Sequence, residues 1–186
     1  MQKKWLRLCL VFSLAFCLLG SSKTAQLSAQ EQSLLLTELD FAAFELAIEK
    51  APAGVFLKEV NYLAHATEYT YEVTTKDSFY LHSTFSDEQS AIDAKITATA
   101  MRTGALIGLT VGEMKNQEIV LKNQFGGKAK LSLLLMHGKP AGNLFTFAHG
   151  SKSASVIFTG VYFDNEADFS DFFTPYITHI KIAKLH

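Results

Sequence analysis

Leu131-Ser132-Leu133-Leu134-Leu135-Met136-His137 is followed by Gly138-Lys139-Pro140-Ala141-Gly142, and Asn143-Leu144-Phe145-Thr146-Phe147-Ala148-His149 by Gly150-Ser151-Lys152-Ser153. The stretch closes with the apolar run Ala154 to Phe163. Three apolar runs of strand length, separated by Gly-, Pro- and Ser-bearing breaks, predict a three-stranded antiparallel meander. In the last run Val156, Phe158 and Tyr162 fall on one side, and Ile157, Val161 and Phe163 on the other. A strand apolar on both sides belongs at the centre of a sheet, covered twice. Phe145 and Phe147 share a face of the middle strand, which suits a core or the wall of a ligand pocket. With His137 and Lys139 at the adjoining turn, they are the candidate ligand-binding residues.

Outward from the meander, a final helix is expected with Asp164 as N-cap, running through Phe169, Phe172 and Phe173. Pro175 either kinks it or opens its last part, which continues through Ile177 and Ile180. On the N-terminal side, Glu68 to Thr75 alternates, with Tyr69, Tyr71 and Val73 on one face, and Val55 to Leu63 reads as a weaker strand. Lys76-Asp77 turns into Ser78 to Phe85, where Phe79, Leu81 and Phe85 share a face. Leu109 to Lys115 and Glu118 to Gln124 read as short strands around Asn116-Gln117.

Two capping boxes mark helix starts, Ser28-Ala29-Gln30-Glu31 and Ser86-Asp87-Glu88-Gln89, because hydroxyl and carboxylate satisfy the free amides of a first turn. The first predicts a helix over Ser28 to Lys50, with Leu35, Leu39, Ala42 and Leu46 at helical spacing and Ala51-Pro52-Ala53-Gly54 ending it. The second predicts a helix with Ile92, Ile96, Ala100 and Thr103 on its inner stripe, stopping at Gly104 or Gly108. The fold class is therefore α+β, an antiparallel sheet with a C-terminal three-stranded meander packed by helices in two layers.

The chain opens with Met1-Gln2-Lys3-Lys4-Trp5-Leu6-Arg7, continues with an apolar run from Leu8 to Leu19, and exits through Gly20-Ser21-Ser22. Twelve helical residues span ~18 Å, too short for a bilayer core of roughly 30 Å. A basic start, a short apolar centre and a small-residue exit make residues 1–25 a secretory signal peptide, cut after Ser22 or Ala25. Residues 26–186 form one α+β domain with no transmembrane span, exported to a periplasm or secreted. Lipidation at Cys17, in Leu14-Ala15-Phe16-Cys17, is the other reading of this segment, and Phe16 stands where a lipid-attachment motif wants a small residue.

Both cysteines, Cys9 and Cys17, and the single tryptophan fall within that leader. The mature domain is then free of disulfides and of thiol chemistry. Cleavage after Ser22 leaves 14 basic residues against 18 acidic ones. Arg102 is the one arginine left, so nucleic acid is excluded as a partner, since phosphate neutralisation needs clustered positive charge.

Phe125-Gly126-Gly127-Lys128-Ala129, the meander, and the run Asp168-Phe169 through Phe172-Phe173-Thr174-Pro175-Tyr176 to Ile180-Lys181-Ile182 resemble the layout of the PsbP/Mog1/DcrB-type α+β domains. That resemblance implies a non-catalytic accessory or binding domain. The family shares no catalytic motif, so it transfers no functional residue.

Chemistry-bearing patterns are absent from the mature sequence. Its six histidines, His65, His82, His137, His149, His179 and His186, show no metal-ligand spacing. His137 is expected opposite Asn143, which leaves His149 about 20 Å along the strand at roughly 3.4 Å per residue. Asp164-Asn165-Glu166-Ala167-Asp168 with Asp171 lacks the glycine and terminal glutamate of a calcium loop and fits a helix start. There is no G-x-S-x-G elbow, no S-x-x-K and no phosphate loop at Gly104-Ala105-Leu106-Ile107-Gly108. Lysines 115, 122, 128, 130, 139 and 152 are expected on hairpins, as a solvated edge or a weakly basic face for an anionic partner. No cofactor is called for. The expected activity is binding of a protein partner or small ligand in the cell envelope. The alternatives are a hydrolase whose site follows no motif and a lipid-anchored envelope protein.

Overall fold

A strand that must be covered twice needs a layer on each side, and the chain supplies both. The computed structural model describes residues 27–44, 54–61, 66–74 and 79–184. The leader over 1–25 lies outside these residues, as do Cys9, Cys17, His65, His186, the Lys76-Asp77 turn and 45–50 of the expected first helix. In chain order come α1 (Ala29–Gln32), a 3-10 helix (Glu38–Phe44), β1 (Val55–Asn61), β2 (Ala66–Thr74), β3 (Tyr80–Asp87) and α2 (Ala91–Val111). They are followed by β4 (Met114–Ile119), β5 (Lys128–Met136), β6 (Lys139–His149), β7 (Lys152–Thr159) and α3 (Glu166–Ile182).

The seven strands form one antiparallel sheet in the order β1-β2-β3-β7-β6-β5-β4. The expected meander is its right half, extended by β4. β7 stands in the middle, and every residue from Ser153 to Thr159 is buried. The expected two layers are three, because the helices divide between the sheet's faces. On one face Phe145, Phe147, Val156 and Phe158 pack with Phe169, Phe173, Ile177 and Ile180 of α3 and with Leu34, Leu36 and Phe41. On the other, Leu144 and Ile157 pack with Ala105 and Leu109 of α2.

The aromatic face is densely stacked. Ring centroids lie 4.3 Å apart for Phe169–Phe173, 4.9 Å for Phe145–Phe169 and 5.0 Å for both Phe41–Phe158 and Phe41–Phe172. Phe145 and Phe147 are fully buried within this cluster.

Several boundaries differ from the sequence reading, each for a physical reason. The Ser28 box forms: Ser28 N–H donates to Glu31 Oε2 at 2.8 Å and Glu31 N–H to Ser28 Oγ at 3.3 Å. The helix behind it stops after Gln32, because Leu34, Leu35 and Leu36 are all buried. Three successive residues on a helix point 100° apart, so no single helical face can bury them all. Of the expected stripe, Leu35 is buried but Leu39 is 73% exposed.

The Ser86 box does not form. Ser86 stays in β3 and donates to Glu88 Oε1 at 2.6 Å, while Ser90 caps α2 by accepting from Asp93 N–H. The helix passes both Gly104 and Gly108 to a cap at Gly112, and its stripe is inverted: Ala94, Ala98, Met101, Ala105 and Leu109 face inward. Residues 109–111 are accordingly helical, and Asn116-Gln117 lies inside the single strand β4.

The first hairpin turn is His137-Gly138, with φ of 51° and 79°, the left-handed pair that suits a two-residue hairpin. Lys139 to Gly142, expected as the turn, belongs to β6. A register shift at Leu134/Leu135 lets Pro140, which has no N–H to give, sit in the strand. Asn143 therefore pairs with Leu133 and not with His137. Gly142 lies against β7 so closely that a Cβ would meet Phe158 O at 1.9 Å. Asn165, not Asp164, caps α3, and Pro175 sits inside that helix.

Asn143 joins the central strands to the segment behind them. Its Nδ2 donates to Ser132 O at 3.3 Å and Phe163 O at 2.8 Å, and its Oδ1 accepts from Phe163 N–H at 2.7 Å, all fully buried. Asn143→Ala strands these backbone groups and should cost about 2–4 kcal/mol. Urea unfolding checks this through the midpoint at unchanged slope. A loss under about 1 kcal/mol would show that the three bonds are dispensable.

Candidate functional site

The residues from Ser33 to Asp40 form a strap across α3 and the sheet, and its anchors define a cleft. Leu36 N–H donates to Ser83 Oγ of β3 at 3.0 Å, and Tyr176 Oη of α3 donates to Leu34 O at 3.2 Å. Lys58 of β1 reaches Glu31 at 2.6 Å, and Gln30 reaches Lys184 O at 2.7 Å. The hydrogen bond to Lys58 holds the Glu31 carboxyl below its ordinary value. Burial pushes the Tyr176 phenol up, so it stays a neutral donor.

Between strap and helix lies a cleft of about 290 Å³, with Leu35, Leu36, Phe172, Pro175 and Tyr176 as apolar walls and Ser33, Asp40 and His179 as polar members. Such a site, with apolar walls and polar groups in nearly equal measure, is near the lower end of the usual size range for a small-ligand pocket. Asp40 Oδ2 accepts from Thr37 N–H at 2.7 Å and Thr37 Oγ1 at 3.1 Å. No ion pair among the described residues engages this carboxylate.

Ser33 Oγ and His179 Nε2 are 3.1 Å apart, which invites comparison with a nucleophile and its base. The protons argue otherwise. Ser33 Oγ gives its hydrogen to Gln30 O at 2.7 Å. It can then only accept from His179, which is the reverse of the direction that activates a nucleophile. No carboxylate among the described residues orients the imidazole from its other side. The pair acts as a clasp between α1 and α3.

The sequence-derived candidates are not brought together. Phe145 and Phe147 are core under α3, while His137 and Lys139 stand exposed at a hairpin end. His149, at the other end of β6, places Nδ1 2.8 Å from Gly126 O and so donates to it. Among the described residues, no three of the His, Cys, Asp and Glu side chains gather to hold a metal. Nor is any described helix long and apolar enough to cross a membrane. Of the six lysines, Lys130 pairs with Glu118 at 3.6 Å, and Lys152 donates to the carbonyls of Lys181 and Ala183 at the end of α3. A cation there suits the negative end of a helix. The cleft residues carried no motif; three adjacent leucines directly behind a capping box were the available signal.

A second polar region lies on the sheet face away from the aromatic cluster. Glu59, Glu68 and Ser86 fall in one cross-strand row, and Glu88 bonds Ser86. Burial, then the charges of Glu59 and Glu88, push the Glu68 carboxyl up to about 7.

No protein-family model matches the chain, and neither a curated protein nor a solved structure does.

The Glu68 shift makes stability depend on pH. Between the ordinary carboxyl value and about 7 the folded chain holds a proton that the unfolded chain has released. Stability therefore falls as pH rises through this window. Glu68→Gln should flatten that slope and raise the melting temperature at pH 8, read by thermal unfolding across pH 4–8. An unchanged slope would place the titration elsewhere.

Proposed function

We propose that this chain is an exported, non-enzymatic binding domain that holds a small ligand in the cleft between the strap and α3. Export rests on residues 1–25, whose basic start, short apolar run and small-residue exit match a leader. The absence of catalytic motifs and the resemblance to PsbP/Mog1/DcrB-type domains support a binding role.

The observation that carries the ligand reading is the meeting of apolar side chains and the Asp40 carboxylate in one cleft, a carboxylate that no cation among the described residues engages. The ligand that fits has a short apolar body and a hydrogen-bond-donating or cationic end, such as an alkylamine. Leu35, Leu36 and Phe172 would take the body and Asp40 the head. The hydrolase alternative finds no support at this cleft, because Ser33 donates its proton to a backbone carbonyl.

Titration with hexylamine, followed by two-dimensional NMR, should move the resonances of Leu35, Phe172, Tyr176 and His179 together. Asp40→Asn should weaken that binding about tenfold, as expected for loss of a charge-assisted hydrogen bond. Resonances that stay still, or an Asp40→Asn variant that binds as well as the parent, would end this reading.

A further inference from the structure

The inverted stripe of α2 leaves its larger side chains outside. Ile92, Ile96, Ile107 and Val111 are 69%, 61%, 62% and 65% exposed, with Thr99, Ala100, Thr103 and Gly104 exposed between them. On a 3.6-residue helix, all eight fall on one side. The threonines do not make this side polar. Thr99 Oγ1 donates to Lys95 O at 2.8 Å and Thr103 Oγ1 to Thr99 O at 2.9 Å, so both hydroxyls are satisfied by their own helix. A continuous apolar patch of this kind marks an interaction surface.

Its occupant can be argued from the order of the residues. The stripe reads nearly the same in both directions about a point between Met101 and Arg102. Ile92 mirrors Val111, Ile96 mirrors Ile107, and Thr99 and Ala100 mirror Gly104 and Thr103. Bulky pairs stand at the ends and small residues at the centre. Two α2 helices laid antiparallel across a two-fold axis would thus set each bulky pair against its counterpart, while the small centre lets the helices approach. That is the self-complementarity an isologous dimer requires.

Charge points the same way. Arg102 turns inward to Ser132 Oγ at 2.7 Å and Asp93 is bound to its own cap at Ser90, which leaves Lys95 as the exposed charge along the helix. An anionic lipid surface or a charged peptide has little to address here. With roughly 100 Å² of open apolar surface on each of the four large residues, two copies would cover about 800 Å², and the small residues between them bring the total to on the order of 1,000 Å². That is the threshold for specific association and predicts a weak dimer.

We infer that two copies of this chain associate through the outer face of α2, antiparallel about the Met101–Arg102 midpoint. This surface is independent of the cleft. Sedimentation equilibrium of the protein as its cell finishes it should give a monomer–dimer equilibrium in the micromolar range. Ile96→Asp, on a side chain already in solvent, should weaken it at least a hundredfold, because the substitution enters twice per dimer, and should leave the thermal melt unchanged when it is taken below the dissociation constant of the dimer. Val120→Asp is the control, at a side chain 79% exposed beyond β4, and should leave the equilibrium unchanged. In a Cys9→Ser, Cys17→Ser background, the Ile96→Cys, Ile107→Cys pair should oxidise to a covalent dimer, and Ile96→Cys alone should not. A chain monomeric up to millimolar concentration overturns the inference and leaves the stripe to a partner of another sequence. A dimer indifferent to Ile96→Asp, or cross-linked as fast by Ile96→Cys alone, overturns it as well.

Discussion

β7 has water on neither side, and the arrangement of the molecule follows from how differently its two faces are covered. One face presents Val156 and Phe158, the other Ser153, Ser155 and Ile157. Large rings on the first side demand large partners, and α3 and the strap bring Phe169, Phe173 and Phe41 to meet them. The second side mixes the small Ser153 and Ser155 with Ile157, and the helix on it mixes small and large residues too, with Met101 and Leu109 among those facing inward. The small members of α2 there are Ala94, Ala98, Ala105 and Gly108. A close-packed interior tolerates neither a gap nor an overfilled layer, so each helix is matched to its own face. β7 also joins the two halves of the sheet, since β3 pairs on one side of it and β6 on the other.

This explains what the sequence made legible. β7 announced itself because burial on both faces removes alternation, and a run such as Val156-Ile157-Phe158 has no other simple reading. β2 was legible for the opposite reason: Tyr69, Tyr71 and Val73 alternate with residues that need no core. Both signals are local. The inner face of α2 was not, because an isolated helix with isoleucines on one side and alanines on another favours burying the isoleucines. Only the floor that β6 and β7 present reverses that choice, and it lies some fifty residues away in sequence.

The cleft was hidden for a related reason. Its walls come from Ser33 to Asp40 and from Phe172 to His179, brought together by the Leu34–Tyr176 and Ser33–His179 contacts. Nothing in either stretch has the spacing of a motif. The Ser28 box is a local device and formed as read, yet it governs one turn; beyond Gln32 the burial of three leucines outweighs helix periodicity. The aromatic pair Phe145 and Phe147 was ambiguous between core and pocket. α3 resolves the ambiguity by lying directly on them, with Phe145 4.9 Å from Phe169 and 5.1 Å from Phe173.

The two surfaces left over from this packing lie on opposite sides of the sheet. The strap and α3 cover the aromatic face, and the cleft opens between them; α2 covers the other face and turns its apolar stripe outward. A pair of copies joined through α2 would therefore keep each cleft on the outside of the assembly, with the sheet between cleft and interface. Ligand binding at one copy would obstruct neither the partner's cleft nor the shared helix face. Any coupling between the two events would have to cross the sheet, where β6 and β7 are packed closely on both faces and have little freedom to move without disturbing one helical layer or the other.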